Sequence, residues 1–177
     1  MKYAYALCLV ALTQVAHGQD FCKQVVKEMS EDKTQIDYSS PLHKDHLTPV
    51  VVKRTINSNP EWAVDNFTVV FQMTSDIESI YGKNADGTQK EKDEKKLVVT
   101  FDDNSTFVDD TVVITHDFTD DRTYAVRNIY YPVTDATAKD FTTKKIRKFS
   151  LAGIERTITP DSANAIMNYF QCIKAGK

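Results

Sequence analysis

β-branched side chains outnumber leucine so heavily in this chain that a helical bundle is excluded at the outset. From residue 19 onward there are 15 Val, 11 Ile and 18 Thr against four Leu: Leu42, Leu47, Leu97 and Leu151. Two heavy atoms on Cβ restrict χ1 in a helix but pack well on a pleated surface, so the mixture specifies sheet. Local alternation agrees. Across Phe67-Thr68-Val69-Val70-Phe71-Gln72-Met73 the odd positions are large and apolar, while Thr68 and Gln72 sit opposite. Leu97, Val99 and Phe101 repeat that period, as do Tyr124 and Val126. This is the pattern of strands with one buried face.

Punctuation between the runs is mostly acidic. Asp102-Asp103-Asn104-Ser105 reads as a hairpin turn, and Asp109-Asp110 and 117–121 mark the next two, because Asp and Asn tolerate the positive φ of tight turns. Residues 145–158 read as one strand that changes phase, with Phe149 and Leu151 on one face, Ile154 and Ile158 on the other, and a bulge at Gly153. Residues 84–96 are almost free of apolar side chains and mixed in charge, the composition of a solvated, mobile connection. Thr134 to Phe141 fits one short helical turn capped by Thr134.

A full helix is expected only at the C-terminus. Thr159 caps it, Pro160 and Asp161 occupy its first turn, and Ile166, Tyr169, Phe170 and Ile173 form one apolar stripe before Gly176. The expected fold is mainly β (α+β). It is an antiparallel sheet of about seven to eight strands, closed as a sandwich or partial barrel, with one C-terminal helix.

Residues 1–18 read as a secretory signal peptide: Lys2, an apolar run from Ala4 to Val15, then the small-residue end Val15-Ala16-His17-Gly18 with cleavage after Gly18. The run is shorter than the ~20 residues a bilayer requires, so the protein is expected not to span a membrane. Residues 19–177 are then one β-rich domain in a secreted or periplasmic location. Loss of the signal removes one of 22 basic residues and none of the 25 acidic ones, leaving the remainder one charge more negative than the chain's −3. With a pI near 5.8, binding of nucleic acid by charge is excluded.

Cys8 leaves with the signal, and Cys22 and Cys172 remain, one near each end. In an oxidising compartment two such cysteines are expected to pair, the alternative being two unpaired structural thiols. Without a C-x-x-C the pair is a stability device rather than a redox motif.

Candidates for chemistry are sparse. His43 and His46 have a spacing seen in metal sites but no evident third ligand. The doublets Asp102-Asp103, Asp109-Asp110 and Asp120-Asp121 offer oxygen ligands for calcium, yet none matches the calcium-loop pattern. Glu28, Glu61, Glu78 and Glu155 are the acids available to a hydrolase. No nucleophile elbow or glycine-rich phosphate loop is present. Trp62 is read as a core side chain, with a ligand anchor as the alternative. Asn66-Phe67-Thr68 and Asn104-Ser105-Thr106 are glycosylation sequons.

The segment from Asp32 to Pro41, the strand–turn–strand from Leu97 to Val108, the late strand 145–151 and the Cys-bearing terminal helix around Tyr169-Phe170-Gln171-Cys172-Ile173 resemble small exported bacterial β-rich proteins of unknown function. The resemblance implies a β-rich exported domain and carries no activity or site residue. The expectation is an exported, non-catalytic binding or structural module with no cofactor, no metal and no catalytic residue, working with a protein partner at the cell surface or in the periplasm. The alternatives are a barrel-type carrier of a small apolar ligand and a hydrolase built on acidic residues.

Overall fold

The computed structural model describes residues 21–41, 49–76, 81–83, 85–91, 95–118 and 124–176; the expected signal peptide, His43, His46, Glu78 and Asp120-Asp121 lie outside them. Six strands form one antiparallel sheet. In spatial order they are β1 (Val26–Met29), β2 (Gln35–Ser39), β3 (Val50–Asn57), β4 (Val64–Asp76), β10 (Tyr124–Pro132) and β9 (Ile114–Phe118). Four more form a second antiparallel sheet: β12 (Ile154–Thr157), β11 (Ile146–Leu151), β7 (Leu97–Phe101) and β8 (Thr106–Asp109). A separate two-stranded ribbon pairs β5 (Tyr81–Lys83) with β6 (Gln89–Glu91). The longer described helices are α1 (Asp135–Thr143) and α2 (Pro160–Lys174), and residues 21–24 are also helical.

The two large sheets stack as a sandwich. Among the described residues each keeps two unpaired edges, so the partial-barrel option falls away. Val50, Val52, Val69, Phe71, Met73 and Ile129 of the first sheet join Leu97, Val99, Phe101, Ile146, Phe149 and Leu151 of the second in one buried cluster. Aromatic rings fill the space between. Phe71 meets Phe149 at 5.2 Å between centroids and Phe101 meets Phe141 at 5.7 Å, while Phe141 stacks on Phe170 at 5.1 Å with the planes 7° apart. Phe141 from α1 and Phe170 from α2 thus close one end of the core, and burying each ring contributes about 2–3 kcal/mol.

The C-terminal helix forms as its caps dictate. Thr159 Oγ1 accepts from the Ser162 backbone N–H, and Ile166, Phe170 and Ile173 are buried with Tyr169 packed at the cluster's margin. Cys22 and Cys172 are joined by a disulfide across 150 residues, with Cα atoms 5.2 Å apart. Beside it the Tyr169 hydroxyl donates to Gln24 Oε1 at 2.7 Å, and the Phe21 and Tyr169 rings meet edge to face. Arg54 completes the attachment. Its guanidinium grips Asp65 through two 2.8 Å bonds and donates to the carbonyls of Ile173 and Lys174 at 3.2 and 2.7 Å. A cation thereby occupies the negative end of the helix dipole.

Several expectations are corrected. The phase change at residues 145–158 is a hairpin rather than a bulge. Ala152 and Gly153 have φ of 53° and 82°, and Leu151 pairs directly with Ile154. Two successive positive φ values make a two-residue turn whose twist matches the flanking strands. The bulge-like irregularity lies earlier, where β11 shifts register on β7 between Ile146 and Lys148. The segment 84–96 contains strand β6, because Asp86 and Gly87 (φ 83°) turn the chain back onto β5. The expected helical turn at Thr134 is a nine-residue helix, α1, with a capping box between Thr134 and Thr137. Strands exceed the expected number because β1, β5, β6 and β12 are short edge or ribbon strands with little apolar periodicity. Trp62 is 70% exposed in the β3–β4 connection, not in the core. The core is already filled by phenylalanine.

Candidate functional site

The sequence-derived candidates do not converge. Glu155 is tied to Lys148 at 2.6 Å on the β11–β12 hairpin. Glu28 lies exposed on β1 opposite Asp37, and Glu61 is exposed in the β3–β4 connection. Three Glu on separate elements make no opposed pair. Among the described residues no group of three or more His, Cys, Asp or Glu is gathered to hold a metal ion.

The acidic turn residues have a structural occupation instead. Asp103 Oδ1 accepts from the backbone N–H of Ser105 at 2.9 Å, and Asp109 Oδ1 accepts from that of Thr111 at 2.8 Å. Asp32 with Thr34 and Asp86 with Thr88 repeat the arrangement. In each case the hydroxyl of the Ser or Thr donates to the same carboxylate. Asp-x-Ser/Thr is thus a turn device used four times among the described residues, and the carboxylates serve the backbone. At Asp103 the Ser105 hydroxyl and N–H, then Lys144, pull the carboxyl down from 3.8 to about 2. Lys144 also reaches Asp140 at 3.0 Å, which raises its own affinity for the proton. Asn104, with φ 63° at the turn apex, accepts from Arg147 at 2.8 Å, and Asn66 is exposed on β4 opposite Thr55.

A different region has the geometry of a site. Where the second sheet hands the chain to the first, the segment 110–113 connects β8 to β9. Val112 turns into the core while Val113 is 71% exposed. The end of β10 runs alongside, so Val112, Val113, Thr115, Tyr130, Tyr131 and Pro132 line an open depression of about 410 Å³. Alternation along β10 sets the roles. Tyr131 is buried against Phe107 at 5.1 Å, whereas its neighbour Tyr130 points the other way and is 56% exposed. Burial raises the Tyr131 phenol above its ordinary value despite a hydrogen bond with Thr137. Hydroxyls of Thr111, Thr115 and Thr134 and the Asp109 carboxylate fall on the lining. An apolar floor with a few polar groups at its edge suits binding of an apolar or aromatic group.

Nothing in the sequence singled out Val113 or Tyr130. Tyr130 follows the period of β10 and Val113 lies in the connection before β9, and neither position says in advance which outward face is left uncovered. No described helix is long and apolar enough to cross a membrane. Comparison with protein-family models, with curated proteins and with solved structures finds no match.

Proposed function

We propose that this protein is an exported, non-catalytic binding module whose contact surface is the β8–β9 side of the sandwich. The carrying observation is the depression of about 410 Å³ flanked by Val113 and Tyr130, two large side chains left in solvent beside a free sheet edge. Apolar side chains clustered around a concavity are the usual mark of a contact site. The interior favours this reading over a carrier, since the space a ligand would occupy is taken by Phe71, Phe101, Phe141, Phe149 and Phe170. The disulfide fits an oxidising compartment, and export through the 1–18 signal peptide accounts for it.

A photoreactive phenylalanine analogue placed at 113, 130 and, as the control for mere exposure, 62 tests the reading in the cell that makes the protein. Discrete adducts from positions 113 and 130 but not 62, formed on exported chain beginning at Gln19, are expected. Equal labelling at 62, or a cytoplasmic chain with intact Met1, would overturn it.

A further inference from the structure

The free edge beside that depression has a defined polarity. In an antiparallel ladder the N–H and C=O of successive residues address opposite neighbours. The Gln72 N–H donates to Pro49 O at 2.9 Å on the β3 side, so Phe71 and Met73 address β10. Asn128 and Val126 then address β9 through Thr115 and Asp117. Ile114 and Phe118 consequently turn their N–H and C=O groups away from the sheet. No described strand lies beyond them.

Most natural edges are blunted by Lys, Pro, a bulge or an ion pair. The β1 edge carries Lys27 and Glu28, and the β12 edge carries Glu155, held by Lys148. By contrast β9, Ile-Thr-His-Asp-Phe, has neither Lys nor Pro, and its register on β10 is unbroken. Phe118 is 47% exposed at one end of it, and Val113 stands exposed at the other. The edge is therefore long enough, regular enough and apolar enough to accept another strand.

Charge selects what that strand is. Asp109 ends β8, Asp110 lies in the connection and Asp117 on β9, and among the described residues none of the three is in an ion pair. A second copy would bring the same three carboxylates and the same net negative charge. A cationic segment complements them instead. We propose that β9 accepts an extended, Lys- or Arg-bearing segment of a partner protein as an added strand, with one apolar side chain seated between Val113 and Tyr130. This rests on the binding-module reading and specifies its partner. Main-chain bonds to Ile114 and Phe118 supply affinity, the depression selects one side chain, and the carboxylates select flanking charge.

The probe is a panel of short peptides on an alternating Thr/Val frame, with a central Leu, Phe or Ala and with Lys or Glu at both ends. It is titrated against the disulfide-bonded protein. Lys-ended, Leu- or Phe-centred peptides are expected to bind about tenfold more tightly than their Glu-ended counterparts, with the preference shrinking in high salt. Asp110→Lys should shrink the preference for Lys-ended peptides without abolishing it. Phe118→Pro, which removes an outward donor, should weaken every peptide more than Phe118→Ala, which removes the ring alone, and backbone N-methylation of the peptide should abolish binding. The amides of Ile114 and Phe118 should become protected from exchange. Equal binding by N-methylated peptides, unprotected Ile114 and Phe118, or no binding by any member of the panel would overturn strand addition. So would a homodimer dispersed by Phe118→Pro. Adducts at 113 and 130 alongside any of those failures would leave the module reading standing without it.

Discussion

At β1 the six-stranded sheet ends in a strand exposed along all four residues, yet that end is tethered three ways: by the Cys22–Cys172 disulfide, the Gln24–Tyr169 hydrogen bond and the Arg54 clamp on the end of α2. At β9 the same sheet ends in a strand with apolar neighbours, and among the described residues no disulfide reaches it. The difference shows that exposure alone does not mark a working surface. β1 contributes little apolar burial and is secured by covalent and electrostatic attachment, whereas β9 is secured by its ladder with β10, and no described strand pairs with its outer side. The exposed Trp62 makes the same point from the opposite direction, being large and apolar in a connection between strands rather than on a sheet edge.

The comparison breaks most decisively at Phe170. Phe170→Ala removes the ring that meets both Phe67 and Phe141 and should cost about 3–5 kcal/mol by denaturant unfolding. Val113→Ala should stay within about 0.5 kcal/mol. A comparable loss at both sites would erase the distinction between the two regions.

Reduction comes next. Opening a bridge across 150 residues should lower stability by about 2–4 kcal/mol without unfolding a domain that keeps its buried core. Cys172→Ser should match the reduced protein. Thiol titration of the unfolded, unreduced chain should find no free thiol at Cys22 or Cys172.

Arg54→Ala should cost about 1 kcal/mol, because the partly solvated pair with Asp65 adds little beyond the helix-end contacts. Its signature is early fraying of α2 at Ile173 and Lys174, read by amide exchange.

The smallest effect concerns the β7–β8 turn. Asp103 titrates lower folded than unfolded, so its contribution is present above its ordinary 3.8 and is lost as pH falls toward about 2. Asp103→Asn should therefore lower the melting midpoint above about pH 4, with the difference from the native chain vanishing near pH 2.

Much of the architecture was readable from residues alone, and the reasons are particular. Phe67, Val69, Phe71 and Met73 pack on the core side as their spacing implies, and Ile166, Phe170 and Ile173 bury the stripe of α2. Thr134, Thr159, Asp103 and Asn104 act as local chemistry requires, because caps and turns are decided within a few residues. The hairpin at Ala152-Gly153 was not readable, since Ala at φ 53° is a poor advertisement for a turn that normally favours Asn-Gly. The candidate site was hidden for a longer-range reason. Val70 and Tyr130 are directly paired and share one face of the sheet, yet Val70 is buried and Tyr130 exposed. Alternation gives the face of a strand but not what covers it, and strand order decides which edge stays open. Arg54 was missed likewise. Its partners Ile173 and Lys174 lie about 120 residues away and offer only backbone carbonyls.

Residue-resolved hydrogen exchange, before and after reduction, tests the contrast between the tethered and open regions most directly. In the disulfide-bonded protein the α2 amides from Ala163 to Cys172 should exchange only through global unfolding, while the outward amides of Ile114 and Phe118 exchange orders of magnitude faster. Reduction should accelerate exchange in α2 and leave Ile114 and Phe118 unchanged. Protected amides at Ile114 and Phe118 in the free protein, or an α2 indifferent to reduction, would contradict the account.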